Sequence, residues 1–181
     1  TIAHCYAILK GGADLKVLVG FMSQTGNTKK VAEAIYGEIK NEKEIMSLDE
    51  IGSLDGYDFA FIGFPIQAFG PAQQAKSFQE KHSNGKNIAL FITHAAPEDH
   101  EELPEWLAKC KASASGANLL GVFDVGANVE KQADFMSVSN NPKLVDAAKE
   151  RPLSIGQPDA ERLKRTCKFA RDIMKAFPAA K

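Results

Sequence analysis

Lys16-Val17-Leu18-Val19-Gly20-Phe21-Met22-Ser23-Gln24-Thr25-Gly26-Asn27-Thr28 reads as a buried strand that empties into a hydroxyl-rich turn at the start of a helix. Ser23, Thr25 and Thr28 carry side-chain hydroxyls, and Gly26 permits a backbone twist closed to most residues. The backbone N–H groups that open the next helix have no partners within it. Such a donor set suits a phosphate group. Each charge-assisted hydrogen bond is worth roughly 1.5–3 kcal/mol, so a handful holds the anion without a facing lysine or arginine. Lys29 and Lys30 come one turn later and read as solvated helix residues. A nucleoside triphosphate loop is excluded by spacing, because Gly20 and Gly26 stand too far apart and Asn27 occupies the lysine position. The three-glycine dinucleotide fingerprint is absent as well.

Apolar runs near 16–22, 58–64, 87–93 and 118–125, with a weaker one from Glu44 to Leu48, alternate with helical patterns. That alternation predicts a parallel sheet covered by helices. Val31, Ile35 and Ile39 recur at helical spacing, as do Leu103, Trp106, Leu107 and Cys110 around Pro104. Pro71 is expected to open a helix carrying Ala72, Ala75 and Phe78, and Pro158 one carrying Leu163, Cys167, Ala170, Met174 and Phe177. Residues 1–14 read as an N-terminal extension, and 15–181 as one α/β domain with an irregular insertion near 127–157, including a helix from Pro142 to Glu150.

With 181 residues and 44% hydrophobic composition, the chain can build one substantial core. A net charge of −1 argues against a nucleic-acid binder. Ile2 to Leu9 is too short to span a bilayer and lacks the basic start of a secretory signal. Cys5, Cys110 and Cys167 are too widely spaced for a disulfide framework or a zinc site, which fits a reducing cytoplasm. No metal site is expected.

Ligands of open parallel sheets sit beyond the carboxyl ends of the strands. Three segments meet there: Ser23 to Thr28; Pro65-Ile66-Gln67-Ala68-Phe69-Gly70-Pro71; and Thr93-His94-Ala95-Ala96-Pro97. A phosphate cradle beside two apolar loops of small residues suits a flat aromatic system such as that of flavin mononucleotide (FMN).

Ser23-Gln24-Thr25-Gly26-Asn27-Thr28 after a first strand resembles the phosphate loop of the flavodoxins. The resemblance extends from about Leu15 to Phe177 and implies a divergent flavodoxin-like member. It implies a three-layer sandwich, with a five-stranded parallel sheet of order 2-1-3-4-5 and helices on both faces. The hydroxyls of Ser23, Thr25 and Thr28 would then face phosphate oxygens. The cofactor-binding set would be Ser23, Gln24, Thr25, Gly26, Asn27, Thr28, Pro65, Ile66, Gln67, Ala68, Phe69, Gly70, Thr93, His94, Ala95, Ala96 and Pro97.

The implied function is electron relay between a reductase and an acceptor enzyme, more as a carrier than as a self-sufficient oxidoreductase. The alternative is an FMN-dependent reductase that takes hydride from a nicotinamide cofactor and passes it to a quinone or a free flavin. Redox proteins are the expected partners, and the chain is expected to be a monomer or weak homodimer. Ala68 and Gly70 flank Phe69, so a peptide of this loop is expected to rotate toward the cofactor. Glu98, Asp99, Glu101 and Glu102 follow the third loop and either repel negative charge on a reduced ring or serve the next helix's N-terminus. His94 is the one candidate for proton transfer, although an isolated loop histidine is more often a hydrogen-bonding residue. Trp106, within an apolar helical stripe, reads as core.

Overall fold

The computed structural model describes residues 15–127, 142 and 157–177. The N-terminal extension over 1–14 and the expected helix over 142–150, apart from Pro142, lie outside the described residues. Strands β1 (Lys16–Phe21), β2 (Glu42–Ser47), β3 (Phe59–Gln67), β4 (Gly70–Pro71), β5 (Asn87–His94) and β6 (Asn118–Gly126) are joined by α1 (Asn27–Glu38), α2 (Gln73–His82) and α3 (Leu103–Ala112). The last described helix is α4 (Ala160–Ala176). The sheet runs β2-β1-β3-β5-β6 with all these neighbours parallel, and β4 adds antiparallel to β3. This is the expected 2-1-3-4-5 order with one short extra strand.

Alternation along apolar strands supplies both faces. Val17, Val19, Phe59, Phe61, Ala89 and Phe91 pack with Val31 and Ile35 of α1 and Ala170 and Ile173 of α4. Leu18, Ile62, Phe64, Leu90 and Ile92 pack on the opposite face with Ala75 and Phe78 of α2 and Trp106 and Cys110 of α3. Burial pushes the Cys110 thiol up to about 12, so it acts as a small hydrophobe. No helix among the described residues is long and apolar enough to cross a membrane.

Two expectations are corrected. β3 continues to Gln67 rather than ending at 64, and Pro71 lies in β4, so α2 begins at Gln73 with Ala72 as its N-cap. The cause is a hairpin: Ile66 pairs with Pro71 and Gln67 with Gly70, which uses as strand what reads in sequence as loop.

Gly63 fixes how β3 meets β5. It stands opposite Phe91, and a Cβ at Gly63 would lie 1.9 Å from Phe91 Cε2, inside a fully buried ring. Gly63→Ala is therefore expected to destabilise the protein by about 2 kcal/mol or more through overpacking. Urea unfolding checks this, and adding Phe91→Leu should recover part of the loss; an unchanged midpoint for the single variant would refute the packing argument.

Candidate functional site

The strand order reverses between β1 and β3, the point at which the connections of an open parallel sheet part to leave a crevice at the carboxyl edge. The first loop bridges it, since Gln67 Nε2 donates to Gln24 Oε1 at 2.8 Å. Gly26 caps α1 at φ 90° without any side-chain cap bond. A left-handed glycine here turns the first N–H groups of α1 toward the loop. Ser23 Oγ accepts the Gly26 N–H at 3.1 Å, and Thr25 Oγ1 accepts the Asn27 amide at 3.1 Å. Each hydroxyl thus keeps its hydrogen for an outside acceptor. Lys29 lies toward Glu33 at 4.0 Å, and Lys30 donates to the Pro158 carbonyl at 2.9 Å, so neither is committed to the loop. The set from Ser23 to Thr28 holds donors and no carboxylate, which fits a phosphate monoester.

Thr28 departs from expectation. It is 2% exposed, and its Oγ1 lies 2.8 Å from Thr93 Oγ1 on β5. That bond draws the first turn of α1 onto the third loop's root, and leaves Ser23 and Thr25 as the solvent-facing hydroxyls.

The second loop is a tight hairpin whose two central residues, Ala68 and Phe69, have φ of 47° and 65°. Two consecutive left-handed residues define a type I′ turn, normally built from asparagine and glycine. Here neither is glycine, so the turn is strained. Phe69 opposes this strain by packing on Trp106 with ring centroids 5.2 Å apart, and Trp106 in turn meets His100 at 4.8 Å. Trp106 is core as expected, yet it also props the exposed tip: Phe69 remains 39% exposed. Pro65, Ile66 and Gln67 belong to β3, and only Ala68 and Phe69 form the reversal.

The third loop is pinned. Thr93 and His94 end β5 and are buried, with Ala95, Ala96 and Pro97 following. His94 Nδ1 lies 2.8 Å from the Ala96 carbonyl and Nε2 lies 3.2 Å from Asp124 Oδ2 on β6. The hydrogen bond from His94 holds the Asp124 carboxyl below its usual range, with burial opposing and the imidazole charge assisting. Beyond Pro97, Glu98 Oε1 accepts from Arg162 Nε at 3.0 Å and Arg165 Nη2 at 2.6 Å. Arg162 also bonds Asp159, the N-cap of α4, at 2.7 Å. Burial pushes the Glu98 carboxyl up, but the Arg165 hydrogen bond and both guanidinium charges outweigh it and the net shift is down. The acidic run after the third loop is therefore weaker than expected: Glu98 is already neutralised, which leaves Asp99, Glu101 and Glu102 at the surface.

The structure thus brings all three segments together at one edge. Sequence reasoning missed Asp124, Glu98 as an anchor, and Trp106 as a prop. A lone carboxylate inside Val122-Phe123-Asp124-Val125 was the available signal for the first.

Residues 18–151 match the flavodoxin domain family. The flavodoxin-like domain-containing protein BilS of Clostridioides difficile (strain CD3) is 28% identical over 171 residues, covering 88% of this chain and 97% of that one. Among solved structures, oxidised Flavodoxin 2 from Bacillus cereus gives a TM-score of 0.54 at 18% identity, covering 88% of this chain and 98% of its own. A flavodoxin from Streptococcus pneumonia TIGR4 gives 0.53 at 13% identity, covering 87% and 97%. These structures are similar in fold.

Ala68→Gly relieves one left-handed alanine and is expected to stabilise the protein by about 1 kcal/mol, seen as a higher urea midpoint. A lower midpoint would show that the turn is unstrained. Acid stability carries a second expectation. A carboxyl with a depressed folded pKa contributes stability above its unfolded value of about 4 and loses it as pH falls through the folded value. The wild type should therefore lose urea resistance more steeply between about pH 5 and pH 2 than Asp124→Asn does; parallel curves would remove Asp124 as a contributor.

Proposed function

The chain belongs to the flavodoxin domain family, and we propose that it binds FMN at the carboxyl edge of β1, β3 and β5 and relays electrons between a reductase and an acceptor enzyme in the cytoplasm. What supports this reading is the hydroxyl-rich first loop, free of carboxylates, opening a helix with no side-chain cap bond at the point where strand order reverses. Ser23 and Thr25 hydroxyls, with the N–H groups that begin α1, hold the phosphate ester. Gln24, Gly26 and Asn27 shape that turn, and Thr28 ties it to Thr93.

FMN, when bound, supplies the ring that accepts and returns electrons. The chain supplies its placement. Gln67, Ala68, Phe69 and Gly70, rooted on Pro65 and Ile66 of β3, form one wall, and Ala95, Ala96 and Pro97, backed by the buried Thr93 and His94, form the other. Backbone groups of the two loops read the polar edges of the ring, and the apolar side chains exclude water. The exposed Phe69 tip, propped by Trp106, marks the surface where a redox partner approaches. An electron relay needs the ring edge near the surface, and this hairpin stands at the rim of the crevice.

Fluorescence titration with FMN and with riboflavin tests the reading, because the two ligands differ only in the phosphate. The folded chain is expected to quench FMN fluorescence. Removing two hydroxyls in Ser23→Ala/Thr25→Ala should weaken FMN binding by about a hundredfold or more, from roughly 1.5–3 kcal/mol per charge-assisted bond. Riboflavin affinity should stay within about twofold, since neither hydroxyl faces the ring. Folded wild-type protein that leaves FMN fluorescence untouched would overturn the proposal.

A further inference from the structure

The third loop is held by a residue whose hydrogen bonds dictate its charge. His94 is 3% exposed and makes two polar contacts from its ring. The first, at 2.8 Å, is to the Ala96 carbonyl oxygen, which only accepts, so Nδ1 carries a hydrogen. The second, at 3.2 Å, is to Asp124 Oδ2. An ionised carboxylate also only accepts, so satisfying this contact calls for a hydrogen on Nε2 as well. A ring that donates at both contacts is an imidazolium.

The neighbouring charges agree with this count. From β6 comes Asp124; from the segment after Pro97 comes Glu98; from α4 and its cap come Arg162, Arg165 and Asp159. Arg165 also acts on Asp124 through its charge, and Glu161 acts on Arg165. Of these groups only Asp124 touches His94, while Glu98 and Asp159 are already paired with Arg162 and Arg165, which leaves the imidazole as the hydrogen-bonded partner of Asp124. α1 brings the Lys30 ammonium, which donates to the Pro158 carbonyl beside Asp159, and the Thr28 hydroxyl bonded to Thr93, the residue before His94. A neutral imidazole would leave one of its two acceptors, the Asp124 carboxylate or the Ala96 carbonyl, facing a ring nitrogen lone pair in a half-buried site, which is unfavourable.

We propose that His94 is the positioning residue of the third loop, held as an imidazolium by Asp124, and that this pair fixes the Ala95-Ala96-Pro97 backbone for the flavin ring. The role rests on the proposed FMN site but is distinct from proton transfer: both nitrogens are already engaged, and the ring is buried behind the loop. The pair acts on ring binding and leaves the phosphate cradle alone.

The experiment has two readouts on the full-length chain. Nitrogen-15 NMR of the His94 ring at neutral pH should find both nitrogens protonated in the wild type, with and without FMN, and one protonated in Asp124→Asn. In fluorescence titrations, Asp124→Asn and His94→Gln should each weaken FMN and riboflavin by the same factor, about tenfold, the loss of one charge-assisted bond. A wild-type ring protonated at a single nitrogen overturns the proposal without touching the FMN reading, and needs no variant to fold. Doubly protonated His94 with both variants binding the two flavins as tightly as wild type removes the positioning role. Failure of the wild type to bind FMN refutes the functional reading, and the positioning role falls with it; the nitrogen signals still decide whether His94 is charged.

Discussion

Right-handed crossovers travelling in opposite directions from the centre of one sheet must place their helices on opposite faces. β1 connects through α1 to β2 on one side, and β3 connects through α2 to β5 on the other. α1 accordingly packs with α4 on one face, while α2 packs with α3 on the other. The chain leaving β1 and the chain leaving β3 therefore part company, and the start of α1 lies at the point where they separate. The cradle from Ser23 to Thr28 follows from that parting. Its chemistry is local, but its accessibility is a consequence of topology.

The two walls beside the cradle store energy differently. Ala68 and Phe69 both sit in the left-handed region, at a cost of about 1–2 kcal/mol each, offset in part by the contact of Phe69 with Trp106. His94, Thr93 and Glu98 instead tie the third loop to β6, α1 and α4 by hydrogen bonds. Adjustment to a bound ring therefore falls on the second loop, which releases strain by moving. The third loop gives up buried hydrogen bonds if it moves.

The sheet was legible because strands buried on both faces read as continuous apolar runs, and each run was followed by a helical repeat. The first loop was legible because hydroxyls, a glycine and a helix start fall within six consecutive residues. The second loop was not: Ala68-Phe69 carries no turn signal, and a turn held by packing on Trp106 cannot be seen in local sequence. Nor was the third loop's anchoring, because Arg162 and Arg165 reach Glu98 from more than sixty residues away. An acidic run judged by itself looks like a source of field, and partners supplied by the fold turn part of it into a structural clasp.

That clasp bears on how charge acts at the site. Asp99, Glu101 and Glu102 remain at the surface, where a screening length of about 8 Å in physiological salt weakens their effect beyond the first shell of solvent. Behind the third loop, His94 is buried and Asp124 half-buried, so that pair is screened far less, whereas Glu98 meets Arg162 and Arg165, and Asp159 meets Arg162, nearer the surface. With the imidazolium in place the group is neutral, and its long-range field is small. Its influence on a ligand is then geometric, through the position it imposes on Ala95, Ala96 and Pro97. Deleting Asp124 would strand the imidazolium in a buried position, whereas the charges of Glu98, Asp159 and Arg165 are open to solvent, so the loop's placement depends chiefly on the His94–Asp124 pair.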